Sequence, residues 1–320
     1  MRKHMWIGYV VAAVCLYFAF RGISFQQVGK ALAQAKPTWV LLTVVLYGGT
    51  YYLRSIRWAL LLKPVRAISA KELYWPTVIG YFANNILPLR MGELVRAHIC
   101  GSKFKISRTA SLGSILLERL CDTLSFLTTF LVVALIYPFP WFVEKGALAL
   151  GAACFGMIVA LLLIQKHENK FHVLLGRARL PKRWQDNIRE GTTHFLHSIS
   201  GIKQPRYVVE ALSLSLVIWI LEGTFLFMMA MAFGIPLLYA QAFFLLFVLG
   251  LSVTLPQAPG YVGTYEFFGV TALSLLGIPK DQALSLILAL HGTQFAVVGI
   301  LGVIGLWREG LSLHSITTTS

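Results

Sequence analysis

Two polar, helix-breaking segments interrupt this otherwise apolar chain, at residues 84–93 and 256–266. In each segment a proline is followed four residues later by a glycine, and then by a carboxylate. A shift of 168 residues carries Pro88 of the first segment onto Pro256 of the second. Matching interruptions of this kind in two halves of a membrane protein indicate a substrate-binding site between the halves.

The chemistry available at these breaks comes mainly from the backbone. Proline removes a donor and frees a carbonyl, while glycine lets the chain turn and lets a ligand approach closely. The half-helix after each break would point N–H groups inward, which suits an anionic group such as phosphate. The alternative is a pair of kinked helices with packing prolines; we favour hairpins because the breaks are multiple and charged. The candidate residues are Asn84, Asn85, Pro88, Arg90, Gly92, Glu93, Arg96, Pro259, Gly260, Gly263 and Glu266.

Charged side chains within the apolar runs form a second set of candidates. Residues three or four apart on a helix share a face, so Arg54 lies beside Arg57 and Glu118 beside Asp122. Arg119 should reach these two carboxylates only in part. A charge at the bilayer centre costs about 2.5–3.5 kcal/mol or more, so these groups must pair or face water. The set comprises Arg54, Arg57, Glu118, Arg119, Asp122 and Glu222.

Two interpretations of these charges stay open. One is buried ion pairing between helices, for example Arg54 with Glu222 or Glu118. The other is the polar wall of a substrate site, favoured for the group because the charges cluster near both breaks. His291 and Gln294 share a face of the last helix, and we interpret His291 as a hydrogen-bonded packing residue in preference to a proton relay.

The composition indicates an integral membrane protein. Of its 320 residues 57% are hydrophobic and 13% are charged. Apolar runs of about 20 residues, long enough to cross a bilayer, recur along the chain. The net charge of +15 lies mostly in loops, where Lys and Arg set topology and attract lipid head groups, so nucleic acid is not an expected partner. The four cysteines lack metal spacing and are expected to be reduced.

The apolar runs predict an all-α protein with one polytopic membrane domain over residues 1–320. Two shorter apolar pieces, Tyr74–Leu87 and Ala240–Leu255, end at the two breaks. An amphipathic segment at Ile23–Lys36 is expected at the membrane interface. Six transmembrane helices are predicted at about Met5–Phe20, Trp39–Leu62, Thr109–Ile136, Gly146–Ile164, Tyr207–Phe233 and Gln282–Trp307.

The distribution of basic residues orients these helices. The loop at about 165–206 holds nine Lys and Arg against three acids and is expected in the cytoplasm, as are both termini. Each short piece then enters and leaves by one face, as a re-entrant helical hairpin. Repeat A, about 39–136, and repeat B, about 207–307, form an inverted-topology repeat. Lys30 and Lys36 lie on the side that is expected to be outside, which goes against the positive-inside rule. Their long side chains would extend to the membrane interface there.

Four blocks of the sequence stand out together: residues 84–96, 118–122 and 259–266, with Arg54–Trp58 in the second helix. In combination they resemble the flippase-like membrane family typified by the N-terminal domain of bacterial lysyl-phosphatidylglycerol synthetase/flippase proteins. The resemblance covers about Met5 to Trp307 and implies lipid translocation, with both hairpins meeting in mid-membrane. It implies as cavity or hairpin residues Arg90, Glu93, Glu118, Arg119, Asp122 and Glu266.

The cytoplasmic aminoacyl-transferase domain of that family's bifunctional members has no counterpart in this sequence, which stops thirteen residues after Trp307. The lipid therefore need not be lysyl-phosphatidylglycerol. We expect relatives without that domain to handle other lipids, such as hopanoid, polyprenyl-phosphate or glycolipid species.

Three functions are compatible with these features. The expected one is a flippase of a bacterial inner membrane that moves an anionic or aminoacylated phospholipid, a hopanoid or a polyprenyl-type lipid. The second is a membrane-embedded enzyme with Glu118 and Asp122 as acid/base groups, disfavoured because no catalytic motif occurs and no metal or cofactor is expected. The third is a non-transporting partner that recruits a lipid synthase through the basic loop. Membrane lipids, a lipid synthase and a second copy of the chain are the candidate partners.

Overall fold

The structure, a computed structural model, describes residues 2–87, 91–166, 191–195, 205–253 and 258–312. Within these ranges the regular elements are all helical, which confirms the predicted all-α class. A 3₁₀ turn spans Pro259–Tyr261, and residues 191–195 are helical. The helices are α1 Arg2–Phe20, α2 Phe25–Gln34, α3 Pro37–Leu62, α4 Ala70–Ile86, α5 Gly92–Phe104, α6 Arg108–Ala134, α7 Trp141–Lys166, α8 Pro205–Ala232, α9 Tyr239–Ser252, α10 Thr264–Leu275 and α11 Lys280–Arg308.

Three of the described helices are both long and apolar enough to cross a membrane, at Trp141–Leu161, Arg206–Ala232 and Lys280–Arg308. A fourth crossing is possible if α1 and α2, which are bent by 83° relative to each other, form one span. Helices α3 and α6 have 26 and 27 residues, more than the roughly 20 that a span needs, but α3 carries two charged residues and α6 carries four. Whether these two helices cross therefore depends on how their charges are neutralised.

Helix ends follow local signals that the sequence contains. Pro37 occupies the first turn of α3, where its missing N–H costs nothing. At the start of α4, the Ser69 Oγ accepts from the Glu72 N–H, while the Ser69 hydroxyl and N–H donate to the Glu72 carboxylate. These two donated hydrogen bonds lower the pKa of the Glu72 carboxyl. The helix boundaries that were predicted agree with the observed ones to within a few residues; no boundaries were predicted for α5 and α10.

Helices α3 and α8 pack against each other over their length and run antiparallel. At one end the Lys36 N–H donates to the Ala232 carbonyl at 2.8 Å. At the other end the Lys63 ammonium lies 5.0 Å from the centre of the Tyr207 ring. The two helices begin at Pro37 and Pro205, which are related by the same 168-residue shift as the two breaks. Equivalent helices of the two halves thus point in opposite directions.

The four helices from α3 to α6 and the four from α8 to α11 repeat one packing pattern. In each set the first packs on the second, the second on the third and the third on the fourth. Across the sets, α4 packs on α11 and α6 packs on α9. The sequence pattern of two similar halves therefore corresponds to two similar arrangements of helices.

The short helices beside the first break, α4 and α5, form a pair whose outer ends lie together. Arg66, just before α4, donates to the carbonyl of Phe104 at the end of α5. Within this pair a Cβ on Gly92 would lie 2.0 Å from the Gly80 carbonyl oxygen, so the backbones touch. At the opposite end of the molecule, the Lys280 ammonium at the start of α11 donates to the carbonyls of Phe18 and Arg21.

Candidate functional site

A group of buried arginines and carboxylates lies where α3, α4, α6 and α8 meet. Arg54 of α3 donates to Glu222 of α8 at 2.7 Å and to the Tyr81 hydroxyl of α4 at 3.0 Å. The side chains of Arg54 and Glu222 are each only 12% exposed. This contact is the helix–helix ion pair that was one of the two interpretations of these charges.

Arg57, one turn further along α3, is fully buried and joins α6 to α8. Its guanidinium donates to both oxygens of Asp122 and to the Ser215 hydroxyl, the latter at 2.7 Å. The same guanidinium lies 3.1 Å from Glu118. Because Glu118 and Asp122 share a face of α6, one arginine contacts both, as their spacing predicted.

Arg96 of α5 approaches Glu118 from the other side. Two of its nitrogens donate to the two carboxylate oxygens, at 3.0 and 2.6 Å. The guanidinium also lies 3.7 Å from the centre of the Trp58 ring, and the Trp58 indole N–H donates to Ser114 at 3.0 Å. Arg96 was expected to bind a ligand; in the structure its two terminal nitrogens are bound to Glu118.

Arg119 lies at the edge of this group and contacts both neighbouring carboxylates. It donates to Glu118 at 2.6 Å and to the Tyr81 hydroxyl at 3.0 Å, and lies 3.3 Å from Asp122. The expectation that Arg119 would reach these carboxylates only in part is therefore wrong. Its other neighbour is Glu93, 3.7 Å away, and these two side chains are 26% and 33% exposed. Arg119 and Glu93 form the open edge of the group.

The charges of this group balance among the described residues. Four arginines, at positions 54, 57, 96 and 119, contact four carboxylates, at positions 93, 118, 122 and 222. Burying charges is tolerated when each is paired and hydrogen-bonded, whereas removing one partner costs about 3–5 kcal/mol. The balance allows α3 and α6 to place polar groups deep among apolar helices.

Each break is closed by a side chain that accepts a hydrogen bond from the backbone. At the first break the Asn84 Oδ1 accepts from the Gly92 N–H at 2.8 Å, at the start of α5. At the second, the Glu266 Oε2 accepts from the Gly263 N–H at 2.7 Å, at the start of α10. These two amides were expected to face an anion, and instead both are capped within the chain.

His291 of α11 is tied to the second break from both of its ring nitrogens. Nε2 lies 2.9 Å from the carbonyl oxygen of Gly260, and Nδ1 shares a short hydrogen bond with the other oxygen of Glu266. The ring stacks on Tyr265 with 4.4 Å between ring centres. His291 is thus a hydrogen-bonded, buried histidine, as interpreted from the sequence.

The two breaks meet at a polar cavity of about 150 Å³. A Cβ on Gly260 of the second break would lie 3.2 Å from the Asn85 carbonyl oxygen of the first. The φ of Gly260 is 68° and that of Gly263 is 91°, conformations that glycine adopts without strain. The polar residues that line the cavity are Tyr47, Tyr51, Tyr81, Asn84, Asn85, Tyr261, His291 and Gln294.

Comparison with known protein families gives a match over most of the chain. Residues 5–302 match the family described as the lysylphosphatidylglycerol synthase TM region. The chain belongs to this family. The resemblance seen in the sequence blocks is thereby confirmed, and the protein is a membrane protein.

The relatives of this family member come in part from archaea. It is 22% identical to a UPF0104 membrane protein of Methanothermobacter thermautotrophicus, over 95% of each chain. It is 23% identical to UPF0104 membrane protein MJ1595 of Methanocaldococcus jannaschii, over 89% of this chain and 88% of that one. The glycosyltransferase AglD of Haloferax volcanii is 23% identical over 98% of this chain but only 55% of its own length. No solved structure matches the chain significantly.

The site of this family member includes most of the candidate residues that were named from the sequence. Pro88 and Arg90 lie outside the described residues, as do Pro256 and most of the basic loop at 165–206. Sequence reasoning did not identify Tyr47, Tyr51 or Tyr81 as part of the site. Tyr47 and Tyr51 are four apart on α3, and their hydroxyls are joined by a 2.8 Å hydrogen bond. A search for hydroxyls on the arginine face of α3 could have found these two.

Proposed function

We propose that this protein is a lipid transporter that moves a lipid with an anionic head group between the leaflets of a bacterial inner membrane. The polar cavity between the two meeting breaks carries the proposal, because non-helical backbone at membrane depth is tolerated where it lines such a cavity. In an inverted repeat the substrate site lies at the interface between the repeats. The family and its membrane-protein relatives agree with this assignment.

The finer architecture we propose has six spans and two re-entrant hairpins, α4–α5 and α9–α10. The antiparallel α3 and α8 support an inverted repeat, since they are equivalent in sequence. Lys63, Arg66 and Lys103 lie at one end of the molecule. By the positive-inside rule that end is cytoplasmic, and Lys36 lies at the opposite end, with the start of α11. Both termini are then cytoplasmic.

Tyr81 is the residue we expect to recognise the head group. Its hydroxyl oxygen accepts hydrogen bonds from Arg54 and from Arg119, at 3.0 Å each, and Tyr81 lines the cavity. Its O–H proton has no acceptor among the described residues, and two guanidinium groups polarise it toward one. A hydrogen bond from such a donor to an anionic oxygen is stronger than one between neutral groups. The head group is thus bound by the Tyr81 hydroxyl, which two arginines polarise, and not by an unpaired cation.

Two apolar grooves offer places for the acyl or prenyl chains. One, of about 200 Å³, lies among α3, α6, α7 and α8 and is lined by Leu60, Leu117 and Ile158. The other, of about 380 Å³, lies among α7, α9 and α10 and is lined by Phe142, Leu150 and Val248. Tails that stay in these grooves would keep the lipid anchored while its head group crosses the cavity.

Reconstitution in vesicles tests the proposal. The purified chain is placed in vesicles with fluorescent phosphatidylglycerol, polyprenyl phosphate or a neutral glycolipid, and transfer between leaflets is followed by quenching from outside. We expect transfer of the anionic lipids above the rate in empty vesicles. Tyr81→Phe should slow it about tenfold, the cost of one hydrogen bond to a charged group. Tyr52→Phe, at an exposed tyrosine of α3, is the matched control.

The vesicle results separate the possible outcomes. Transfer at the empty-vesicle rate for all lipid classes would refute the transporter. Equal transfer of anionic and neutral lipids would refute the selection of an anionic head group.

A second candidate, a partner of a lipid synthase, is favoured by one observation. The family description names a synthase. AglD is named a glycosyltransferase, and the part of it that matches this chain is 55% of its length. Such a partner would bind an enzyme through the basic loop at about 165–206. Deletion of residues 170–200 distinguishes the roles: a partner loses co-purification with the enzyme, whereas a transporter keeps its activity in vesicles.

We do not favour an enzyme that uses Glu118 and Asp122. Each of these carboxylates is already held by two or more arginines. Contact with guanidinium groups stabilises the ionised form and opposes a role as a proton donor. A general base in this place would also have to break buried ion pairs before it could act.

A further inference from the structure

The hydrogen bonds of His291 fix how many protons it holds with its partner. A carbonyl oxygen only accepts, so the Nε2 that faces Gly260 must carry a hydrogen. The contact between Nδ1 and Glu266 then needs one more proton, on either the ring or the carboxyl group. The Glu266–His291 pair therefore binds one proton more than a neutral histidine beside an ionised glutamate.

Loss of this proton would loosen the second break. With the proton gone, a nitrogen lone pair and a carboxylate oxygen face each other and repel. The same carboxylate caps the Gly263 N–H at the start of α10, and the same ring holds the Gly260 carbonyl. The 3₁₀ turn Pro259–Tyr261 is thus attached to α11 through a contact that one proton controls.

Among the described residues around the cavity, this pair is the group that can change charge. Tyr265 stacks on the ring, and Tyr47, Tyr51, Tyr81 and Tyr261 face the same space. Phenols are neutral near pH 7, and the Arg54–Glu222 pair behind Tyr81 is balanced. On the other helices that pack on α10 and α11, titratable side chains such as Cys15, Lys30 and Tyr239 are partly or fully exposed.

An anion in the cavity would favour the protonated pair. With its proton the pair has no net charge, and without it the pair carries one negative charge. A negative head group therefore repels the deprotonated form. Binding of the anion raises the affinity of the pair for the proton, and binding of the proton raises the affinity of the cavity for the anion by the same factor. We propose that Glu266 and His291 form a proton site that is loaded together with the anionic head group, so that the lipid transporter proposed above works as a proton–lipid symporter.

The inference rests on the proposed function, and its consequence is a driving force. One proton moves with each head group and is released on the side where the head group leaves. A difference of one pH unit is worth a factor of about ten in an equilibrium ratio, so one coupled proton can raise lipid accumulation on one side up to about tenfold.

Proton uptake on binding is the direct test. Dihexanoyl-phosphatidylglycerol, a water-soluble anionic probe, is added to the purified chain in detergent and weak buffer at several values between about pH 5 and pH 9. A pH dye should report uptake of up to one proton per bound probe within part of this range. Zwitterionic dihexanoyl-phosphatidylcholine should cause none. Binding of the anionic probe without proton uptake at any pH would overturn the proposal.

Variants locate the proton. Glu266→Gln and His291→Gln should each abolish the uptake. His98→Gln, at a histidine of α5 outside the cavity, should leave it unchanged. If the first two variants do not fold, ¹⁵N-histidine NMR of the wild-type protein decides, with the resonance assigned from the Nε2 hydrogen bond. A His291 ring whose protonation stays constant over the whole pH range would refute the site.

Vesicles separate this inference from the proposed function. If an imposed pH gradient does not change the rate of lipid transfer, the proton coupling is refuted and the proposed transport function stands. No transfer and no binding of the probe would remove the transporter, and the NMR titration would then show on its own whether the pair exchanges a proton.

Discussion

Arg54 binds Glu222 at 2.7 Å, and the two residues are 168 positions apart in the chain. The same interval separates Pro37 from Pro205, where α3 and α8 begin. In the inverted repeat proposed above, this ion pair would join equivalent positions of the two repeats, as a contact across a two-fold axis joins identical residues. Identical charges at such positions would repel. The contact is attractive because one repeat supplies the cation and the other the anion.

Exchange of these two charges should partly preserve the contact. Arg54→Glu or Glu222→Arg alone leaves two like charges buried together and should lower the free energy of unfolding by about 3–5 kcal/mol. The double variant should recover part of this loss, though not the bond to Tyr81. Unfolding of the detergent-solubilised protein in urea gives the coupling energy. A coupling near zero would contradict the pairing.

Glu118 should be the most sensitive carboxylate of the buried group. It contacts Arg57, Arg96 and Arg119, and its side chain is fully buried. Glu118→Gln removes the charge that these arginines share and should cost about 3–5 kcal/mol of unfolding free energy. Glu93→Gln, at the open edge, should cost less than about 1 kcal/mol. Equal losses of unfolding free energy in the two variants would contradict the expectation that the buried carboxylate contributes more stability than the exposed one.

Periodicity and composition were enough to predict the long helices and the two breaks. Apolar runs fix where a chain can enter a bilayer, and prolines and glycines fix where it cannot stay helical. The pairing of charges was left open, because helical spacing shows which residues share a face but not which helix lies opposite. Arg96 illustrates this, since only its packing against α6 brings it to Glu118.

The role of Tyr81 was also beyond the reach of the sequence. A tyrosine in an apolar run is typical of membrane interfaces and of helix packing. What distinguishes Tyr81 is that two arginines, from α3 and α6, converge on its hydroxyl. That convergence depends on three helices at once, and no pattern along one helix predicts it.

The closest backbone approach between α4 and α5 should not tolerate a side chain. A Cβ on Gly92 would lie 2.0 Å from the Gly80 carbonyl, which is fixed backbone. Gly92→Ala should therefore separate the two helices and cost about 1–3 kcal/mol or more. Gly29→Ala, where a Cβ meets nothing within 4 Å, should be neutral or slightly stabilising. Thermal unfolding measures both, and an unaffected Gly92→Ala protein would contradict the contact.

Cysteine labelling from each side of the membrane tests the hairpins. Single cysteines are placed at Lys71 and Lys103, beside the outer ends of α4 and α5, and at Leu238 and Leu275, beside those of α9 and α10. An impermeant maleimide added to intact cells should label the second pair and should reach the first pair only after permeabilisation. The background lacks the native cysteines Cys15, Cys100, Cys121 and Cys154.

The physical reason for this expectation is the arrangement of the helix ends. Arg66 holds the end of α5 beside the start of α4, so one membrane face must carry both. Lys36 and Ala232 lie at the opposite end of α3 from Lys63, so the loop that leads into α9 opens on the other face. Labelling of positions 71 and 103 from different sides would make α4 and α5 a single broken span. The breaks would then be kinks, and the cavity between them could not alternate between two sides.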